Sequence, residues 1–128
     1  MDTKKELREL EKKILLKIKE LIKEENLINP KYIPILTQKE TLEKTKVYKS
    51  TYSKEVEIKG KKYKYKPMQL HITIEGFENT ITIAHAQSKK RKASLNRLYR
   101  LLKAYKTVRS TIEGLKEVDK IKKMLEQI

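Results

Sequence analysis

The basic side chains between Lys89 and Lys103 are spaced to act together. Lys89, Lys92, Asn96, Arg100 and Lys103 follow i, i+3, i+7, i+11, i+14. On a helix they share one face, with Arg97 at its margin, while Leu95, Leu98, Leu101, Leu102 and Tyr105 fall on the opposite face. Such a row can neutralise phosphates, release their counterions and position a polyanion without reading bases. The run Lys89-Lys90-Arg91-Lys92 stands where the helix should begin. Backbone N–H groups there favour an anion, whereas four cations oppose the helix dipole unless an anion compensates. A surface helix in a lysine-rich chain is often no more than a solvated basic face. Against that stands the first helix, whose exposed face mixes both signs.

A second signal is Lys59-Gly60-Lys61-Lys62-Tyr63-Lys64-Tyr65-Lys66. Strand alternation puts lysines on one face and tyrosines on the other. Lys61, Lys62 and Lys64 are candidates to assist the helix. Tyrosines in such positions are ordinarily core or edge residues, although on an open sheet they could stack on unpaired bases. The lysines could equally guard an edge strand against aggregation.

Other chemistry is poorly provided for. The only aspartates, Asp2 and Asp119, lie near opposite ends, and the basic middle holds Glu55, Glu57, Glu75 and Glu78. No cluster of carboxylates suits a metal-dependent nuclease. His71 and His85 fall on different predicted strands and read as structural or surface residues. The chain has no cysteine and three glycines, so neither a thiolate metal site nor a Gly-rich phosphate loop is available. The expectation is no catalytic residue, no metal, no cofactor and no enzyme.

Charge sharpens the picture. The 128 residues carry a formal net charge of +15. Between 45 and 109 there are 17 basic and 4 acidic residues, whereas 1–44 and 110–128 are nearly balanced. The middle is therefore the electrostatic footprint, roughly Lys46 to Arg109. A polyanion would relieve that self-repulsion. Nucleic acid is the first candidate. A membrane surface is less favoured, because the apolar face of the basic helix lacks Trp and Phe anchors. No run reaches the ~18 apolar residues of a membrane span, and the charged start lacks a signal-peptide stretch. The expected location is the cytoplasm, or the nucleus of a eukaryote.

The elements that must hold these residues follow from periodicity. A single α+β domain over 1–128 is expected. An N-terminal helix within 1–29 carries Leu7, Leu10, Ile14, Ile18, Leu21 and Ile22 at helical spacing, opened by a Thr3–Glu6 capping box. A connector, 30–45, has room for one short helical turn at Thr37–Glu40. A three-stranded antiparallel sheet occupies 46–87, with turns at Lys59-Gly60-Lys61 and Gly76–Asn79 and a middle strand that Pro67 can interrupt. Ser88 caps the basic amphipathic helix, 88–109. Residues 110–128 form either a further helix, opened by a Ser110–Glu113 capping box, or a continuation. Val118, Ile121, Leu125 and Ile128 follow a 3-4-3 spacing that suits packing within the chain or a seam to a second copy or a ribonucleoprotein partner.

The order helix, three strands, helix resembles the double-stranded-RNA-binding domain. Leu70-His71-Ile72-Thr73-Ile74-Glu75-Gly76 resembles that family's second strand and turn, and Ser88-Lys89-Lys90-Arg91-Lys92-Ala93 resembles the start of its last helix. The resemblance implies that Lys89, Lys90 and Lys92 grip phosphates across a major groove. The family's Gly-Pro-x-His loop has no counterpart here, and Leu and Tyr replace its small Ala-rich helix face. The same order is also similar to the Alu-domain proteins of the signal recognition particle, and to three-stranded-sheet-plus-helix DNA readers.

The expected function is binding of structured RNA or duplex DNA through Lys89, Lys90, Lys92, Asn96, Arg97, Arg100 and Lys103, assisted by Lys61, Lys62 and Lys64. The alternative is a structural subunit of a ribonucleoprotein or viral particle that works mainly through protein contacts.

Overall fold

A computed structural model describes residues 3–77 and 79–127. The fold is α+β, with an N-terminal helix, antiparallel sheet and one long C-terminal helix.

Helix α1 spans Thr3–Glu25 and buries Ile14, Ile18, Leu21 and Ile22. Its inner face differs from the sequence expectation at one turn. Leu10 is 45% exposed, while the neighbouring Glu11 is only 6% exposed. Thr3 already belongs to the helix rather than preceding it as a cap. Asn26, in the left-handed region at φ 48°, ends α1 through its N–H to the Ile22 carbonyl.

The connector holds more helix than its weak periodicity suggests. A 3-10 turn at Pro30–Tyr32 leads to α2 (Ile33–Thr37) and α3 (Lys39–Glu43). Pro34 sits in the first turn of α2, where its missing N–H costs nothing. Leu36 and Leu42 are fully buried and anchor the two short helices. The Thr37–Glu40 box does not form. Gln38 is the N-cap of α3, and Thr37 Oγ1 donates back to the Ile33 carbonyl.

The sheet is a long hairpin with one added strand. β1 (Thr45–Thr51), β2 (Lys54–Ile58), β3 (Lys61–Tyr65) and β4 (Met68–Ile74) form two ladders in one unbroken register. Thr51 faces Met68 and Lys54 faces Tyr65, which leaves Tyr52 and Ser53 opposite Pro67 and Lys66. Pro67 has no N–H to give, so the ladder thins there, although Tyr52 N–H still reaches the Pro67 carbonyl at 3.3 Å. The tip at Lys59-Gly60 has φ of 52° and 79°, the signature of a type I′ hairpin turn. β5 (Ile81–Ala86) completes a sheet of order β1-β4-β5. A bulge sets Leu70 opposite Ala84 and His71 opposite Thr82, and both Ile83 and Ala84 are buried. The expected meander is thus present, with its first two strands each divided in two. Of the turn expected at Gly76–Asn79, Glu78 lies outside the described residues.

Helix α4 runs unbroken over 38 residues, Lys89–Glu126. Ser88 caps it as expected, its Oγ accepting from the Arg91 N–H at 3.2 Å. The Ser110–Glu113 box does not start a new helix. Thr111 Oγ1 donates to the Thr107 carbonyl, and the flanking Val108 and Ile112 are buried, so packing carries the helix through. Leu95, Leu98, Leu102 and Tyr105 are fully buried against one face of the sheet and α1, while Leu101 is half-buried. The other face of the sheet is open: Tyr48, Tyr52 and Tyr63 are exposed, so of the two hairpin tyrosines expected in the core or at an edge Tyr63 lies outside the core and Tyr65 is half-buried.

Beyond Ile112, Val118, Ile121 and Leu125 are 44%, 51% and 62% exposed. They lie outside the core. Ile128, the last member of that set, lies outside the described residues.

Candidate nucleic-acid interface

Backbone geometry decides which basic residues can share a ligand. Lys89, Lys90, Arg100 and Lys103 project from the first half of α4 into solvent, whereas Lys92 and Asn96 are half-buried. The reason is β1, the sheet edge beside α4. Lys49 Nζ donates to Asn96 Oδ1 at 3.2 Å and lies 5.1 Å from the centre of the Tyr99 ring. Lys103 Nζ approaches the same ring at 5.7 Å. Lys92 Nζ donates to the Lys66 carbonyl at 3.1 Å, which ties α4 to the hairpin where Pro67 interrupts it. Lys49, Ser50, Thr51, Met68, Lys92 and Asn96 consequently line one shallow groove between β1 and α4.

Among the described residues, no carboxylate lies within salt-bridge distance of Lys89, Lys90, Lys92, Arg97, Arg100 or Lys103. Apart from Lys92, which is half-buried, these side chains are exposed, and none is in a described ion pair. Arg97 stands somewhat apart, in a cleft that also takes Lys17, Glu20 and Glu24 of α1.

Other members of the basic segment have structural duties. Arg91 donates to the Glu25 and Asn26 carbonyls at 3.5 and 3.2 Å and so closes the C-terminal end of α1. Lys106 Nζ reaches the carbonyls of Leu42, Glu43 and Thr45 at 3.5, 2.9 and 2.6 Å. Burial lowers its pKa from the usual lysine value, with Glu43 opposing that shift. Arg109, the far end of the segment in sequence, is half-buried among carboxylates: Glu11 at 3.4 Å, Glu43 at 2.9 Å and Glu113 at 3.0 Å. The footprint therefore stops near Lys103 rather than at Arg109.

The hairpin lysines are placed differently from the helix row. β2 and β3 pair with each other and touch the rest of the fold only marginally. Lys62 and Lys64 face Glu57 and Glu55 across the ribbon, and Lys62 Nζ is 3.9 Å from Glu55 Oε1. Lys61 pairs with Ile58 and falls on the tyrosine face instead. Sequence reasoning missed Lys49 and Tyr99. Lys49 lies 47 residues from Asn96 in the chain, and no local pattern announces their meeting.

Among the described residues, no group of three or more His, Cys, Asp or Glu could hold a metal ion, and no helix is long and apolar enough to cross a membrane. No family model, curated protein or solved structure matches the chain.

Proposed function

We propose that this protein binds nucleic acid through its phosphate backbone, with the first half of α4 and the adjoining β1 edge as the contact surface. The observation that carries this reading is the uncompensated charge of Lys89, Lys90, Arg100 and Lys103, all exposed and without a described carboxylate in reach. Lys49, Lys92 and Asn96 extend the row toward the sheet edge. Arg97, on the α1 side, contributes through its field rather than as part of the row. Lys62 and Lys64, opposed by Glu57 and Glu55, play a minor part. The resemblance to the double-stranded-RNA-binding domain favours structured RNA, and duplex DNA presents the same phosphate chemistry.

Competition among RNA duplex, DNA duplex and single strands at two salt concentrations tests the reading. Duplex binding that weakens steeply with salt is expected. Absent or salt-insensitive binding rejects it.

One observation favours a second reading. Val118, Ile121, Met124 and Leu125 leave an exposed apolar stripe on the end of α4, which suits a subunit that works through protein contacts. Light scattering would then show an oligomer that Ile121→Glu with Leu125→Glu dissociates. A monomer unaffected by both changes removes this alternative.

A further inference from the structure

The open face of the sheet has an order that the phosphate-binding row does not explain. Register places an aromatic ring at five successive rows along the hairpin. Tyr48 stands beside His71; His85 follows at the row of Ser50 and Gln69; then come Tyr52, Tyr65 opposite Lys54, and Tyr63 opposite Val56. Rows on one face are about 7 Å apart, so the track runs about 27 Å. Tyr48, Tyr52 and Tyr63 are 45%, 38% and 49% exposed.

Part of the track is held in place. Tyr52 OH and His85 Nε2 are hydrogen-bonded at 2.9 Å, with ring centres 6.1 Å apart. His71 is fixed from both sides, by Ser50 Oγ at 2.6 Å and Thr82 Oγ1 at 2.9 Å. Rings already held in this way lose less freedom when a flat partner settles on them.

Charge on this face is mainly of one sign. Lys46, Lys54 and Lys61 share it, and no described carboxylate lies within salt-bridge distance of them. Lys54 Nζ sits 6.0 Å from the Tyr65 ring. The ribbon does contain carboxylates, Glu55 and Glu57, but both project from its other face, opposite Lys64 and Lys62. Glu75, one residue past β4, is the acid on this face, in the depression that Lys46 and Tyr48 also line at the end far from the hairpin tip.

Rings at regular steps, exposed at four of the five rows and half-buried at Tyr65, interleaved with lysines that lack a described ion pair, fit a chain of flat bases joined by phosphates. We infer that this face is a stacking platform for the unpaired bases of a single-stranded nucleic acid. The inference rests on the nucleic-acid reading above but uses a surface separate from the α4 row. A duplex keeps its bases stacked on one another and offers no free faces to these rings.

The test is fluorescence anisotropy with a labelled oligo-uridine strand and, separately, a labelled RNA duplex. Tyr48→Ala with Tyr63→Ala should weaken oligo-uridine binding about 5- to 150-fold for each ring engaged. Tyr48→Phe with Tyr63→Phe keeps both π faces and should keep the affinity. Duplex binding should be unchanged in both pairs and weakened by Lys89→Glu with Arg100→Glu. All four tyrosine substitutions are at exposed sites, and an unaltered unfolding transition verifies the fold. The platform is rejected if the wild type does not bind oligo-uridine, if the Ala pair binds it normally, or if the Phe pair loses as much as the Ala pair. None of these results touches the α4 reading, which fails if duplex binding is absent or salt-insensitive, or if the helix reversal leaves it intact.

Discussion

In the second half of α4, Arg109 meets Glu11, Glu43 and Glu113, and Lys116 and Lys120 each reach a glutamate on the same helix. In the first half, the exposed row from Lys89 to Lys103 meets none. Both halves draw on the same residue types and share one continuous backbone. Neighbours account for the difference. α1 and α3 bring carboxylates to Arg109, so its charge joins three elements. β1 brings Lys49 to Asn96 and Tyr99, and so adds positive charge where the helix already has it. A segment shaped for stability alone would place acids beside that row. Lys4 and Asp119 show this pattern at the opposite end, where an ion pair joins α1 to α4.

If the halves differ as described, substitutions should sort by effect. The largest loss of stability is expected for Arg109→Ala, about 3–5 kcal/mol in urea unfolding, because Glu11 stays buried with its main cation gone. A loss under about 1 kcal/mol would show that Lys39, 3.4 Å from Glu11, suffices alone. Tyr105→Phe removes the hydroxyl that donates to Glu11 at 3.3 Å and should cost about 1–2 kcal/mol near neutral pH. Its pH dependence has a defined sign. Burial, then the nearby Glu11 and Glu43 charges, raises the Tyr105 pKa above its ordinary 10.0. The folded state therefore holds a proton that the unfolded chain releases. This contribution is complete below pH 10.0 and is lost as pH rises toward the folded value. Unfolding measured across that range should fall less steeply for Tyr105→Phe than for the wild type.

Smaller effects should run in the opposite direction. Gly114 is exposed within α4, and nothing lies within 4 Å of where a Cβ would stand. Gly114→Ala should stabilise by about 0.5–1 kcal/mol. Lys89→Glu, in the first turn of α4, should add about 0.3–1 kcal/mol by complementing the helix dipole, while weakening duplex binding. That opposition separates the halves: a change that stabilises the fold and harms binding marks a residue kept for its ligand. A thermal transition lowered by Lys89→Glu would break the comparison.

Much of this arrangement was legible in the sequence because its causes are local. The period-two pattern from Tyr48 to Ile83, the Lys59-Gly60 turn, the Ser88 cap and the Leu95–Tyr105 face each follow from residues a few positions apart, and each is present in the fold. What escaped was set by distant neighbours. The Ser110–Glu113 signal yields to the burial of Val108 and Ile112. Leu36 and Leu42, too few to show a period, hold α2 and α3 through packing. Glu11 looks like one of many exposed glutamates until Arg109, Tyr105 and Lys39 converge on it. Within the candidate site, the helix row was readable from spacing, whereas Lys49 and the aromatic track needed strand register.

The central claim is that the exposed row on α4 binds phosphates. Its most direct test is the salt dependence of RNA-duplex affinity for the wild type and for a variant combining Lys89→Glu, Arg100→Glu and Lys103→Glu, three exposed positions. The wild type should show a steep negative slope of log affinity against log salt. The variant should bind more weakly, with a slope shallower by about 0.9 for each phosphate that the row no longer neutralises. Equal affinity and equal slope in the two proteins would contradict the claim.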